Sequence, residues 1–587
     1  MLIKPYFEDP VTKNVTSFSQ IPLVFEGRLQ PFDSLARNTC IFLSGKQRPM
    51  GANSRDVILE LISMNPNVDD YPLFLIRDTH VLDFLSLSRS RSHRYSFSQL
   101  VKALPQLWRQ ASSAEQIEAK KRHHFHKNII LLRNQVDRYL SLKHSFFHPQ
   151  YDAEIKHFSD FSSISQRSMS LLDKIHRDDD LSSEELTLLQ KYGRYLEAFQ
   201  FIKQQSIIFP IPSTQTNSPP WIKVGDALLL TQPSMHTRSY LTKLYHFLET
   251  YTQASTPEVT QLAQMAYQSL SFWDLVKVKA EFYFNQSQLF LLCLCLYLLL
   301  FIIGLILFVY SLPSIQPFLR YCLYGTFTLH SLGILLRMFI QGRPPVTNLY
   351  SSVIFVAFIS ILLFLILEKI FKHPFLFALS NILGFSSLIL AQQLSLSGDT
   401  LEQMRAVLDS NFWLATHVVT MCIGYGAMFV SGFISSVAIM FGFFSKKLRK
   451  PLLTQIYQMT YGILCAALLF SVVGTLLGGI WGDQSWGRFW GWDPKENGAF
   501  LIVLWCGIIL HSRLAGLIKH KGFFALCALG NIVTAFSWFG VNMLGVGLHS
   551  YGFMKGGFVW LLGFSFVQFY IACLGMLPDK FWKSFRT

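Results

Sequence analysis

The sequence predicts an all-α polytopic membrane protein with a mostly helical N-terminal soluble domain. Of its 587 residues, 51% are apolar and only 15% are charged, whereas soluble domains carry about 25% charged residues. Several apolar runs reach the roughly 20 residues that a helix needs to cross a hydrocarbon layer about 30 Å thick. The formal charge of +15 fits basic loops beside anionic lipid. No compact basic motif predicts nucleic-acid binding.

Residues 1–285 form the predicted N-terminal domain, and residues 286–587 form the membrane domain. The stretches 115–142 and 184–205 mix charged and apolar residues at helical spacing. The stretch 209–220 is rich in Pro, Ser and Thr and predicts a linker or a loop. The histidines of this domain lack metal-ligand spacing, which favours a solvated helical face. They cluster at His123, His124, His126, His144 and His148.

The apolar runs of the membrane domain predict about nine membrane-spanning helices. Their predicted bounds are 289–310, 321–340, 347–367, 375–396, 412–442, 458–480, 499–517, 523–547 and 557–577. Basic loops mark the cytoplasmic side of such proteins. In a nine-span arrangement four basic segments lie on one side: 369–373, 445–450, 513–521 and 580–586.

Because these four segments all follow odd-numbered spans, the C-terminus is predicted to lie in the cytoplasm. The loops 341–345 and 395–409 and the N-terminal domain then face outward. Met1–Gln20 contains no basic start followed by an apolar run, so no signal peptide is predicted. A first span can carry a preceding domain across, and a miscount of one span is the alternative.

The segment Trp481–Phe500 carries four tryptophans, several glycines and an Asp/Lys/Glu cluster between two apolar runs. One interpretation is an ordinary aromatic belt at the membrane surface. The glycines favour a second interpretation, because they let the backbone approach a flat molecule while the indoles supply stacking area. A porphyrin is such a molecule.

Two histidines lie at the predicted outer ends of spans on either side of this segment, His417 and His549. Two neutral imidazoles at one level are what haem iron needs for axial ligation from opposite faces. Either histidine alone would more simply make an interfacial hydrogen bond, but the pair favours ligation. His511 and His330 lie deeper within spans, where each is a candidate haem ligand or a partner of a neighbouring helix.

Charged residues of the segment also allow two interpretations. Asp493, Lys495 and Glu496 could pair with one another, or Lys495 and Arg488 could contact haem propionates. Asp493 followed by Pro494 resembles a helix start, so its own role is expected to be structural. A second outward polar cluster comprises Arg337, Arg343 and Asn348. The nine cysteines contain no Cys-x-x-Cys pair, so neither a zinc site nor thiol exchange is predicted.

The segment Trp486–Glu496 resembles the WWD signature of the haem-handling superfamily that includes CcsA, CcmC and CcmF. His417, His511-Ser512-Arg513, Gly547–Gly552 and Arg337–Tyr350 match the CcsA branch, the membrane core of System II cytochrome c biogenesis. The resemblance covers roughly residues 320–560. Ile21–Arg37 resembles the extracytoplasmic segment that precedes the CcsA part of fused CcsBA proteins.

This resemblance implies a site for non-covalently bound haem b as substrate at the outer face of a bacterial inner membrane. His417 and His549 would ligate the iron, and His511 would be one ligand of a site within the membrane. The remaining residues of the implied haem platform are Trp486, Trp490, Trp492, Asp493, Lys495 and Arg488. The opposing ligand of the inner site would come from a ResB-like (CcsB) partner, expected to be a separate protein.

The implied reaction adds two thiols of an apocytochrome c Cys-x-x-Cys-His motif across the haem vinyl groups. Thiol-reducing proteins are implied as further partners. Whether this chain itself catalyses the step is left open. A haem exporter or chaperone that forms no thioether bonds is the alternative function, and a membrane scaffold with a surface belt of tryptophans is a second.

Overall fold

The computed structural model of the protein describes residues 15–118, 121–149, 161–175, 180–213, 219–230, 234–251, 256–309, 315–371, 373–404, 408–446, 448, 450–543 and 557–585. The chain divides into two compact units, Met1–Gln286 and Ser287–Thr587.

The second unit is a bundle of long apolar helices. In the described part of the chain, nine helices are long and apolar enough to cross a membrane, which confirms the predicted all-α polytopic fold. Their α-helical parts within this unit are α1 Leu289–Val309, α2 Gln316–Gln341, α3 Leu349–Phe371, α4 Pro374–Leu394, α5 Val419–Phe444, α6 Lys450–Trp486, α7 Pro494–Leu514, α8 His520–Ala535 and α9 Gly557–Met576.

Helix α5 lies at the centre of the bundle and packs against α3, α6, α8 and α9. Small residues allow this, because helices in a membrane associate by close packing rather than by the hydrophobic effect. A Cβ added at Gly424 would lie 2.7 Å from Ser471 Oγ on α6. A Cβ at Gly432 would lie 2.1 Å from Asn531 Oδ1 on α8. The two glycines therefore set how closely α5 approaches its neighbours.

Two helices carry a π-helical turn, in which hydrogen bonds span five residues instead of four. Asn411–Trp413 and the turn Leu414–Val418 lead into α5. The turn Phe536–Gly540 follows α8 and continues into Val541–Met543. Helix α6 is longer than the predicted 458–480 and includes the first part of the tryptophan-rich segment.

The first unit is mostly helical and contains three small antiparallel sheets within its described residues. Its α-helices are Phe32–Ser44, Ser54–Ile62, Thr79–Phe84, Phe97–Leu100, Leu104–Gln116, His124–Lys143, Phe161–Ile175, Ser183–Gln205, Val224–Leu229, Met235–Thr250, Thr256–Gln268 and Phe272–Ser287. The stretch 115–142 is thus interrupted between two helices rather than helical throughout.

Pro22–Phe25 pairs with Arg28–Pro31 and with Ile208–Phe209. The hairpin turns at Glu26-Gly27, where both φ angles are positive, 49° and 75°, as a two-residue type I′ turn requires. Phe74–Leu75 pairs with Arg94–Tyr95.

The predicted loop 209–220 is partly wrong, because Ile211–Pro212 pairs with Trp221–Ile222. Two-residue strands have no periodicity that a sequence could reveal.

A buried charge network joins the segment Ile21–Arg37 to the last helix of the first unit. Arg28 Nη1 donates to Glu281 at 2.6 Å, and Arg37 Nε donates to Asp33 at 2.7 Å. Asn285 Nδ2 also donates to Asp33, at 3.2 Å. Because a buried carboxylate is costly without partners, these contacts fix the Phe272–Ser287 helix against that segment.

Candidate functional site

The tryptophan-rich segment is built from two helix ends and a short turn. Helix α6 ends at Trp486, and Gly487 adopts a left-handed φ of 66° while its N–H donates to Asp483 O at 2.8 Å. Helix α7 begins after Asp493, whose carboxylate accepts from Lys495 N at 2.8 Å. Pro494 occupies the first helical position, where its missing N–H is tolerated. Asp493 is therefore a helix cap, as its sequence context predicts.

Trp492 is held in a left-handed backbone conformation with φ of 55°, which is costly for a large side chain. Its neighbours explain how: Glu496 Oε2 accepts from Gly491 N at 2.8 Å and from Asp493 N at 3.1 Å. The turn leaves Trp492 72% exposed, and its ring meets Trp490 edge to face at 6.1 Å. The backbone strain thus accompanies an indole that is exposed at the surface of the membrane unit.

His417 lies in the first π-helical turn and is fixed against α6. Its Nδ1 is 2.8 Å from Gly474 O. Since a carbonyl oxygen only accepts, Nδ1 carries the proton, and in the neutral ring the lone pair is on Nε2. The imidazole packs on Trp481, with centroids 5.8 Å apart. A Cβ at Gly478 would lie only 2.5 Å from His417 Cε1, so glycine makes room for the ring.

One aromatic residue near His417, Trp413, was not among the predicted binding residues. Trp413 stacks on Trp481 at 6.4 Å with an angle of 12° between the rings. Trp413 Nε1 donates to Gln484 Oε1 at 3.1 Å. These contacts join residues about 70 positions apart in the chain, so no local spacing in the sequence could have revealed them.

The two cations of the segment have different surroundings. Arg488 is exposed, and its guanidinium lies over Gly491, where a Cβ would be 2.7 Å from Cζ. Lys495 instead points into the bundle, and its Nζ donates to Trp538 O at 2.9 Å. Of the two predicted propionate contacts, Arg488 is exposed and Lys495 is half-buried.

His511 lies near the opposite end of α7, 18 residues beyond Asp493. At 1.5 Å per residue it is about 27 Å away along the helix axis. His511 is exposed, and its Nδ1 is 2.8 Å from Gly507 O. By the same argument as for His417, the lone pair of its neutral ring is on Nε2.

His330 is fully buried, and its Nδ1 lies 3.4 Å from the Tyr297 hydroxyl. Its aromatic neighbours are Phe290 and Phe358. These contacts match the interpretation in which His330 bonds a neighbouring helix.

The second outward polar cluster divides into two groups. Arg337 Nη2 and Asn348 Nδ2 both donate to Thr400 O, at 2.6 and 3.0 Å. Arg343 makes a two-point ion pair with Asp409. Both groups tie loops together. His549 and the matched stretch Gly547–Gly552 lie outside the described residues.

In the N-terminal unit, His124 is exposed beside Asp78, at 3.3 Å. His144 and His148 pack on Phe201. Burial lowers the pKa of His144 to about 4. Over the residues that the structure describes, no group of three or more His, Cys, Asp or Glu side chains could hold a metal ion.

These residues therefore offer an exposed indole, a stacked pair of indoles, an imidazole with a fixed tautomer and an exposed guanidinium. Such a set suits a planar apolar macrocycle that carries a metal and anionic substituents.

Comparison with known proteins agrees with this chemistry. Residues 346–549 match the family described as Cytochrome C assembly protein. The chain is 34% identical over 290 residues to protein NrfI of Wolinella succinogenes, covering 47% of this chain and 31% of that protein. It is 30% identical over 265 residues to the cytochrome c biogenesis protein CcsA of Chlorella vulgaris. That match covers 38% of this chain and 82% of the relative. The match to CcsA of Parasynechococcus marenigrum is 28% identical over 256 residues, with 38% and 82% covered. The chain thus spans about a third of NrfI and most of each CcsA relative.

Proposed function

Since this chain belongs to the CcsA family of cytochrome c biogenesis proteins, we propose that it delivers haem to the outer face of a bacterial inner membrane and takes part in attaching it to apocytochrome c. The observation that carries the proposal is His417, held by Gly474 O against Trp481. A fixed tautomer with Nε2 as ligand is the arrangement that orients a metal-bound imidazole, because the other ring nitrogen is already bonded.

At the outer site, the macrocycle of haem b lies on indoles from both sides of the turn. Trp492 is exposed and meets Trp490 edge to face, and Trp486 is the last residue of α6. Arg488 binds a propionate, since its guanidinium is exposed and charge-assisted bonds to carboxylates are strong. The second axial ligand is His549, which is assigned from the family signature alone.

His511 is one ligand of a separate site within the membrane. Its exposed position on α7 supports this role, because a polar ring on a lipid-facing helix surface is costly unless something covers it. We propose that a ResB-like (CcsB) membrane protein covers this surface and supplies the opposing ligand. The first unit and the tryptophan-rich segment face the periplasm, and the C-terminus faces the cytoplasm.

The attachment reaction forms two carbon–sulfur bonds. Each apocytochrome thiol adds across a haem vinyl group, with sulfur bonding to one carbon and the thiol hydrogen ending on the other. The addition needs no protein thiol, and the nine cysteines of this chain are unpaired. The contribution of the protein is to orient haem and apocytochrome, and positioning two reactants can lower a barrier by about 7–11 kcal/mol.

The test is reconstitution in nanodiscs with a ResB-like partner and an apocytochrome that carries a Cys-x-x-Cys-His motif. We expect haem that stays with the cytochrome on a denaturing gel. An apocytochrome with both cysteines replaced by serine is the matched control and stays unlabelled. Haem binding without any covalent product would contradict the attachment role and leave a haem carrier. Absence of haem from the complex would contradict both.

A further inference from the structure

Lys495 connects the tryptophan-rich segment to the π-helical turn Phe536–Gly540. It is the second residue of α7, and its Nζ donates to Trp538 O at 2.9 Å. A π-helical turn shifts the hydrogen-bond register of a helix, and its carbonyls still require donors when buried. The ammonium supplies one donor to this turn. A charged donor makes a stronger bond than a neutral one.

The turn that Lys495 binds is itself immobilised. Trp538 Nε1 donates to Ser352 Oγ on α3 at 3.1 Å. Its ring contacts Tyr425 and Phe429 on α5, each at 6.0 Å. Trp538 is only 6% exposed. A group that is bound to Trp538 O therefore has a fixed position relative to the core of the helix bundle.

A second contact lies one helical turn further along α7. A Cβ added at Gly498 would lie 3.1 Å from both Cα and Cβ of Ser537, so the first turn of α7 rests directly on the π-helical turn. Lys495 and Gly498 thus dock the start of α7 at two adjacent points of one turn, at Trp538 and Ser537.

The two elements that Lys495 joins lie close in sequence to the predicted haem-binding residues. Asp493, the last residue of the tryptophan-rich turn, precedes Lys495 by two residues, and His549 follows Gly540 by nine. We propose that Lys495 is a positioning residue, a clasp that holds the tryptophan-rich segment against the π-helical turn Phe536–Gly540, and is not a propionate ligand. This inference rests on the proposed function, because it concerns the outer haem site.

Arg488 offers the matched comparison. It belongs to the same segment and carries the same charge, but it is exposed rather than bonded inside the bundle. A clasp and a propionate contact respond differently to a ligand without carboxylates. Haem dimethyl ester is such a ligand, since esterification removes both negative charges.

The experiment titrates Lys495→Met and Arg488→Met proteins in nanodiscs with ferrous haem and with its dimethyl ester. For Lys495→Met we expect about a tenfold or greater loss of affinity that is equal for both ligands. Its spectrum should change from two-histidine to five-coordinate, and added imidazole should restore it. For Arg488→Met we expect a two-histidine spectrum and a loss of affinity for haem but not for the ester.

A second variant covers the case in which Lys495→Met does not fold. Gly498→Ala keeps the ammonium but separates α7 from Ser537, and we expect the same spectral change with a smaller loss of affinity. A Lys495→Met loss that disappears with the ester would overturn the clasp in favour of a propionate contact. Unchanged spectra in both variants, beside a two-histidine wild type, would overturn the clasp alone. A wild type without bound haem would overturn the proposed function together with it.

Discussion

Gly478→Ala should displace the imidazole of His417 from its place on α6. The added Cβ would lie 2.5 Å from Cε1 and 2.9 Å from Nδ1, whereas carbon atoms in contact are normally about 3.5–4.0 Å apart. The ring must therefore move by about 1 Å. Overpacking of this kind costs about 1–3 kcal/mol, and metal–ligand distances tolerate only about 0.2 Å. We expect haem affinity to fall by about 5- to 150-fold.

The assay is a haem titration of purified protein in nanodiscs, followed by the ferrous absorption spectrum. Gly462→Ala is the control on the same helix, because nothing lies within 4 Å of its added Cβ. That variant should bind haem as the wild type does and should be more stable by roughly 0.5–1 kcal/mol. Imidazole should restore the six-coordinate spectrum of Gly478→Ala. Unchanged affinity and spectrum in Gly478→Ala would refute the role assigned to His417.

Three further predictions concern other parts of the molecule. Asp493→Ala should lower the stability of the solubilised protein by about 0.5–2 kcal/mol through loss of the helix cap, whereas Asp493→Asn, which keeps the cap, should melt near the wild type. Trp492→Gly should raise stability by about 1 kcal/mol, because glycine relieves the strain of the left-handed backbone, and it should lower haem affinity. A loss of both stability and haem affinity would show that the indole has a structural role. Burial, the largest cause, and Lys143 lower the pKa of His144 to about 4, so unfolding takes up a proton and stability falls as pH drops from about 6.5 toward 4. Thermal melts of His144→Phe should show a smaller loss between pH 7 and pH 5 than the wild type, and equal losses would contradict the assignment.

Apolar runs alone predict the membrane helices, because crossing a bilayer imposes a length and a composition on each of them. The cap at Asp493 was equally visible, since Asp-Pro at a helix start is a local pattern. His417 lies beside the tryptophan-rich segment as predicted, in contact with Trp481. Each of these features depends on neighbouring residues or on bulk hydropathy.

The partner of Lys495 could not be predicted in this way. Its contact is a backbone carbonyl 43 residues later in the chain, and backbone carbonyls have no sequence signature. The two π-helical turns are similarly invisible, because a change of hydrogen-bond register alters no composition or period that a short window can detect. The sequence alone therefore predicts a propionate contact for Lys495, and only the structure reveals its hydrogen bond to Trp538 O.

Helix α7 is common to both proposed haem sites. Asp493 caps it and its first turn carries Lys495, whereas its last turns carry His511, about 27 Å from Asp493 along the axis. An intact helix between them keeps this separation constant, so no single iron can be bound by groups at both ends. In the proposed function, haem would therefore leave His511 before it reaches the outer turn. Because Lys495 docks the first turn of α7 on the bundle core, we expect this release to depend on groups at the His511 end rather than on movement of the first turn.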